Sequence, residues 1–349
     1  MKVGRIDILL MLAVSSVASL FCSFYFYKQT KDIKRNLRLQ HPISTTEAGF
    51  QLKPTTAKPM FEQFTYIYEP RKLLLDICHK DNCTTSKEHK WRMLMFVKSS
   101  AGNTRRRELL RKTWASLSRV CGGWFDTVFV VGATTVGKLR QFIHEEHERY
   151  GDILQYNGSD AYRDIAAKTL AGMHWASKYL NRTDFYSSVD DDFMIDMTNL
   201  HRTVEYYINK TITKDWPEFP IICGFILGQS ELPIRNTRSK WRMEKNKYKW
   251  PSYPPYCHGG LYTTSVNVIQ QLYKESQTME LFTLDDVWIT GILRRRIGMP
   301  DEMVLRPERY YGSHEPGADE KTKIDDFYKM LSILGTENTC RCFADEIVG

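Results

Sequence analysis

The sequence lacks the fingerprints of the commonest phosphate-binding folds: it holds no P-loop and no G-x-G-x-x-G turn. No internal repeat is apparent, so a solenoid or propeller is not indicated. Charge of one sign is also scarce. Lys and Arg number 49 against 41 Asp and Glu, leaving +8 over 349 residues. That excess accommodates an acidic ligand such as a nucleotide phosphate but does not mark a nucleic-acid binder. Long apolar runs are limited to one amino-terminal stretch, which argues against a polytopic membrane protein. A 42% hydrophobic and 26% charged composition excludes a disordered tail protein and a collagen-like fibre.

The one long apolar stretch runs from Ile8 to Tyr27 and carries no charge across 20 residues. As a helix it would rise about 30 Å, close to the hydrocarbon thickness of a bilayer. A secretory leader is the competing reading, but its core is shorter, and here the run continues into Phe24, Tyr25, Phe26 and Tyr27, which resemble an interfacial belt. An uncleaved anchor is therefore expected at 8–27, behind a tail at 1–7. Residues 28–90, with the Thr/Pro/Lys-rich stretch HPISTTEAGFQLKPTTAKP, read as a stem, and 91–349 as one body without an internal linker. Lys and Arg counts around the anchor favour a cytosolic body. Sequons at Asn82, Asn157, Asn181 and Asn209 argue for the opposite side. Eight cysteines, one of them (Cys22) inside the apolar run, leave seven for three disulfides and a spare thiol. Their pairing is open; structural zinc is the weaker reading, since no well-placed His accompanies Cys340 and Cys342.

The body alternates strand and helix signals. RMLMFVKSSA is an apolar run ending in turn residues, and TRRRELLRKTWASL has a helical period. DTVFVVGAT is a second buried strand, and EEHERYGDILQY a charged helix entering a strand. DIAAKTLAGMHWASKYL is a helix, and DFYSSVDDDFMI a third strand that ends in acid. This order predicts an α/β domain with a mostly parallel sheet, whose ligands bind beyond the strand carboxyl ends. The stretch from Ile221 to Tyr262 is rich in aromatics, Pro and Gly and reads as short strands and loops shaping a pocket. VNVIQQLYKES and LDDVWITGILRRRIGM are two further helices, the second opened by acids.

Three constellations carry chemistry. Asp190, Asp191 and Asp192 follow a buried-looking strand, where adjacent carboxylates need solvent or a cation; a hard divalent ion bridging to substrate phosphates suits them. Asp285 and Asp286 supply a helix cap or a general base. SYPPYCHGGLYTTS offers Tyr253, Tyr256 and His258 as pocket walls, with Gly259 and Gly260 allowing close backbone passage. The basic set Arg105, Arg106, Arg107, Arg111 and Lys112 either meets a diphosphate or solvates its helix.

Read in order from Arg92 to Pro307, these segments resemble the β-1,3-galactosyltransferase and β-1,3-N-acetylglucosaminyltransferase family. The resemblance rests on Arg106-Arg107 with Leu110-Arg111-Lys112-Thr113-Trp114, Phe129-Val130-Val131-Gly132, Asp152-Ile153-Leu154-Gln155 and Lys168-Thr169. It continues through Asp190-Asp191-Asp192, Ser239-Lys240-Trp241, Tyr253-Pro254-Pro255-Tyr256-Cys257 with Gly259, and Asp285-Asp286-Val287. It implies a glycosyltransferase A-type fold with a Rossmann-like sheet, a type II Golgi anchor that overrides the Lys/Arg count, a UDP-sugar donor and Mn²⁺. It further implies Asp192 as metal ligand, with Asp190 and His314 as further members of the shell. Asp190 or Asp191 would contact the donor with Arg106 and Arg111, and Asp286 would act as base. Asp285, Trp241, Tyr256, His258 and Gly259 would line the acceptor side. The partners implied are the UDP-sugar and a glycan acceptor on protein or lipid, with no nucleic acid; a homo-oligomer stays open. Asp285 stands where the family has Glu, and His258 where Ser is common. A UDP-N-acetylhexosamine transferase and a silent membrane-tethered lectin or chaperone are the alternatives.

Overall fold

The computed structural model describes residues 64–71, 73, 91–213, 218–314 and 319–336, all within the unit Pro54–Gly349. The expected tail, the apolar run at 8–27, Asn82 and cysteines Cys22, Cys78, Cys83, Cys340 and Cys342 lie outside the described residues. Among the described residues no helix is long and apolar enough to cross a membrane.

At the centre is β2 (Trp91–Lys98), buried at all eight positions. Such a strand must be covered on both faces and paired on both edges. It pairs in parallel with β4 (Gly123–Ala133) on one side and β6 (Phe185–Asp190) on the other. Beyond β4 lies β5 (Ile153–Ser159), also parallel. The sheet runs β1-β5-β4-β2-β6-β11-β8-β12, with β3 (Arg119–Val120) on β4. The outer additions β1 (Tyr66–Tyr68) and β11 (Tyr262–Ser265) are antiparallel to their neighbours, while β12 (Val304–Leu305) is parallel to β8 (Ile221–Cys223). A parallel core inside a mixed sheet is the result, as the strand–helix alternation predicts.

β1 lies inside the stretch read as stem. Three residues are too few to show a period, yet Tyr66 pairs with Tyr156, and Glu69 accepts a hydrogen bond from the buried Trp175 indole at 2.9 Å. The folded body therefore begins before Trp91.

The crossovers are helical. α1 (Thr104–Lys112) and α2 (Gly137–Tyr150) lead outward to β4 and β5, and α3 (Ile165–Tyr179) returns across the sheet to β6. α2 stops where Gly151 adopts φ 65°, a left-handed cap that side chains rarely tolerate. α3 buries Ala166, Leu170, Ala171, Met173, Trp175 and Ala176, which suits a helix sandwiched in the core. The amino ends of α4 (Met197–Ile212) and α5 (Val266–Ser276) are capped by Asp196 and Ser265 side chains accepting from the Asn199 and Val268 N–H groups. α6 begins with π-helical Val287–Leu293 and runs into Arg294–Arg296; α7 is Glu320–Thr336.

The chain leaves β2 toward β4 and re-enters on the opposite edge as β6. Connections diverge at that point, which opens a crevice at the carboxyl ends of the two strands. Two small ribbons stand over it: β9 (Ile226–Gly228) with β10 (Tyr256–His258), and β7 (Met194–Ile195) with β13 (Gly312–Ser313). A Cys223–Cys257 disulfide ties β8 to β10, and Cys121 is disulfide-bonded as well.

Candidate active site

Over the crevice lies a cleft of about 760 Å³. Its lining includes Asp190, Asp192, His314, Asp285, Asp286, Trp241, Tyr256, His258 and Gly259, so most residues singled out from sequence converge on one space.

The floor is a charge bridge. Lys98, the last residue of β2 and 3% exposed at its side chain, places its Nζ 2.8 Å from Asp285 Oδ2 and 3.0 Å from Asp190 Oδ1. Register puts Lys98 opposite Asp190, so the two strand ends bring these side chains together. Burial opposes the ammonium charge, but the two carboxylates outweigh it and hold Lys98 protonated. Gly260 packs directly on this bridge: at φ 62°, a Cβ there would lie 2.4 Å from Lys98 Nζ and 3.0 Å from both Asp190 carboxylate oxygens. Only glycine fits, on backbone and on space.

The three acids of the strand end have separate environments. Burial, reinforced by Asp285, raises Asp190 to about 6 against the pull of Lys98. Asp191 is buried and turned away from the cleft: it accepts from Ser99 Oγ at 2.7 Å, Asn103 Nδ2 at 2.8 Å and Arg106 Nη1 at 2.7 Å. It fixes the loop between β2 and α1. Asp192 faces the cleft with Oδ2 3.3 Å from His314 Nε2. The β7–β13 ribbon makes this pair, because Ser313 stands opposite Met194, and the His314 ring stacks on Phe193 at 5.3 Å. Among the described residues no three His, Cys, Asp or Glu side chains form a ready metal cage. Asp192 and His314 form a two-residue oxygen and imidazole donor set, partly exposed, that suits Mn²⁺ if substrate phosphates and water complete the shell.

The start of α6 also lines the cleft. Asp285 is buried; burial would raise its carboxyl, but Lys98 and the Thr169 hydroxyl, 2.7 Å away, hold it below its ordinary value. Thr169 thereby explains its place in the Lys168-Thr169 pair, while Lys168 binds Asp160 at 2.8 Å, itself the acceptor for the Ala101 and Gly132 N–H groups. Asp286 lines the cleft, and burial next to Asp285 pushes it up to about 7. The π-helical turn that follows leaves Thr290 Oγ1 to bond the Asp286 carbonyl and to accept from the Cys257 N–H, locking α6 to β10.

Around the rim, Tyr256 donates to Glu231 Oε2 at 2.6 Å, and His258 Nε2 lies 2.6 Å from Glu231 Oε1. Glu231 carries no local motif; only the β9–β10 pairing reveals it. Trp241 is 49% exposed and presents its ring at the cleft.

The basic set divides. Arg106 bridges Asp191 and, at 3.5 Å, Asp192. Arg107 and Arg111 do not line the cleft: Arg107 is fully buried on Glu146, while Arg111 pairs with Glu146 and Asp152 and lies 4.6 Å over Phe129. The donor contact expected of Arg111 is replaced by a buried ion network joining α1 to α2 and β5, because the helix turns that face inward. Asn157, Asn181 and Asn209 are exposed.

The galactosyltransferase family model matches residues 105–304, more than half of the chain. The chain is 34% identical over 208 residues to Drosophila melanogaster beta-1,3-galactosyltransferase brn, covering 60% of this chain and 61% of that protein. Human beta-1,3-galactosyltransferase 5 is 29% identical over 220 residues, 63% of this chain and 68% of its own length. Mouse beta-1,3-galactosyltransferase 1 is 31% identical over 193 residues, 55% and 56%. The chain thus spans between 56% and 68% of these relatives. A solved structure of S. aureus TarS overlays with a TM-score of 0.33 at 10% identity, over 70% of this chain and 39% of that one, too loosely to bear on the fold. By the family model and its span across the cleft residues, the chain belongs to the galactosyltransferase family.

Proposed function

We propose that this chain is an inverting hexosyltransferase of glycosyltransferase A-type fold. It moves galactose from UDP-galactose to a sugar hydroxyl of a glycan acceptor and closes a β-1,3 link. The observation that carries the reading is Asp286, a cleft carboxylate raised to about 7 and facing the space that Asp190, Asp192 and His314 also line. A general base works best when its pKa lies near the operating pH. As a carboxylate, Asp286 takes the proton of the acceptor hydroxyl. The freed oxygen attacks the anomeric carbon opposite the leaving diphosphate, the bond to UDP breaks with its electron pair on UDP, and the configuration inverts. Asp285, held by Lys98 and Thr169, keeps the start of α6 and hence Asp286 in register. Asp192 and His314 would hold a Mn²⁺ ion, which would supply charge neutralisation for the leaving diphosphate. Trp241 offers an aromatic face to the acceptor sugar.

The reading extends to a type II Golgi protein with a lumenal body. The uncharged run 8–27, the Cys223–Cys257 disulfide and the exposed sequon asparagines support it.

The test measures UDP release from UDP-galactose, UDP-N-acetylglucosamine and UDP-N-acetylgalactosamine, with and without Mn²⁺, and reads the product linkage by NMR. Mn²⁺-dependent β-linked galactose transfer that collapses in Asp286→Asn and Asp192→Ala is expected. Undiminished activity in both variants, or an α-linked product, overturns the assignment.

A further inference from the structure

The cleft carries charge of both signs. Asp190, Asp192, Asp285 and Asp286 line it together with part of the loop from Arg235 to Lys249, which contributes Lys240, Trp241, Arg242 and Lys247 beside the acids Glu231 and Glu244. That segment, RNTRSKWRMEKNKYK, holds seven Lys and Arg and a single acid, Glu244. Arg235 does not face a ligand: its guanidinium donates to the carbonyls of Met243 at 2.8 Å and Tyr248 at 2.7 Å, stapling the loop into shape. Arg242 spends part of its charge on Glu244 at 3.8 Å. Lys240 and Lys247 line the cleft, joined by Arg163 from the 3₁₀ turn Tyr162–Asp164, and all three are exposed. Among the described residues no carboxylate lies within ion-pair distance of these three.

Lys240 is moreover flanked by aromatic rings. Its Nζ lies 4.5 Å from the centre of the Trp241 ring and 5.2 Å from that of Tyr162, two exposed aromatics at the cleft mouth. A lysine flanked by two rings is a charge beside a surface suited to a sugar face. A neutral glycan lying on Trp241 and Tyr162 would strip water from Lys240 without offering a counter-charge, which costs binding energy. An acceptor carrying an anion recovers it.

We propose that the acceptor is an anionic glycan, whose carboxylate or sulfate is read by Arg163, Lys240 and Lys247 in the same cleft as Asp286. The proposal rests on the glycosyl-transfer reading of this cleft and names the substrate class for it. The anion is met by residues other than Asp192 and His314, which serve the donor diphosphate. The carboxylate and sulfate forms share this chemistry.

The experiment uses the full chain, UDP-galactose with Mn²⁺, and three probes: p-nitrophenyl β-N-acetylglucosaminide, its 6-sulfated form, and a p-nitrophenyl disaccharide containing glucuronate. Expected is a higher kcat/KM for at least one charged probe than for the neutral one. The advantage should shrink between 10 mM and 150 mM salt, as the screening length falls from about 30 Å to about 8 Å. The triple variant Arg163→Gln, Lys240→Gln, Lys247→Gln should lower the charged-to-neutral ratio about 10-fold, each exposed charge contributing a few-fold. Lys240→Arg alone should retain most of that ratio. A ratio near one in the wild type overturns the proposal, as does a triple variant that raises the KM for UDP-galactose while leaving the ratio intact. The sulfated probe is also titrated onto the protein calorimetrically, independent of turnover. Salt-dependent binding lost in the triple variant, with no transfer from any donor, upholds the anion site and sinks the transferase reading. No binding and no charge preference sinks the anion site.

Discussion

Replacing Lys98 with Met tests the charge bridge on which the site is built. In the wild type one buried ammonium neutralises Asp285 at 2.8 Å and Asp190 at 3.0 Å. Met preserves most of the side-chain volume but leaves two neighbouring carboxylates without a counter-charge. Removing one partner of a buried ion pair costs about 3–5 kcal/mol, a large part of a typical stability of about 5–15 kcal/mol. The pH dependence discriminates further. Without Lys98, both carboxyls should titrate in the folded state above their unfolded value of about 3.9. The unfolded chain then releases protons first as pH rises, so the variant should lose stability between about pH 4 and pH 7. In the wild type, Lys98 itself has a raised pKa, so its contribution is complete throughout this window. Urea unfolding followed by tryptophan fluorescence at pH 5 and pH 7.5 should show a larger deficit at the higher pH. A loss below about 1 kcal/mol, or a deficit that grows toward acid, would refute the reasoning.

Other outcomes follow from the same geometry. Because the base must be deprotonated and Asp286 lies at about 7, kcat/KM should fall tenfold per pH unit below that value and level off above it; a flat profile from pH 5.5 to 8 would remove Asp286 from the role. Gly260→Ala should destabilise by about 2 kcal/mol or more through left-handed backbone strain and collision with Lys98, measured by the shift in urea midpoint; an unchanged midpoint would show that the turn relaxes freely. Cys257→Ser should cost about 2–4 kcal/mol by opening the loop from Cys223, with 34 residues of sequence separation, and should lower kcat by loosening β10 against α6; full activity at unchanged stability would contradict this coupling.

Much of the fold was legible because it is local. β2 declared itself as an apolar run ending in turn residues, and VNVIQQLYKES corresponds to α5, Val266–Ser276, since a helical segment needs only neighbouring residues. β1 was not legible, being three residues whose meaning comes from pairing with β5. The acid triplet was visible, but its division was not: the same residue type three times in a row gives no sign that Asp191 is committed to Ser99, Asn103 and Arg106 while Asp192 faces His314. Arg107 and Arg111 look alike as charges on a helix, and their burial on Glu146 depends on which face packs against α2.

By itself, the sequence determined which residue types were present for transfer chemistry and in what order, together with the alternation that makes a parallel core. The tertiary structure alone decided their roles. Lys98 reaches Asp285 across 187 positions because two strand ends and a helix start meet at one switch point, and Asp192 meets His314 because a two-residue ribbon pairs them. A carboxylate's pKa is set by what surrounds it within a few ångströms. For Asp190, Asp285 and Asp286 those surroundings come from distant parts of the chain, so their separate charge states exist only once the sheet has formed.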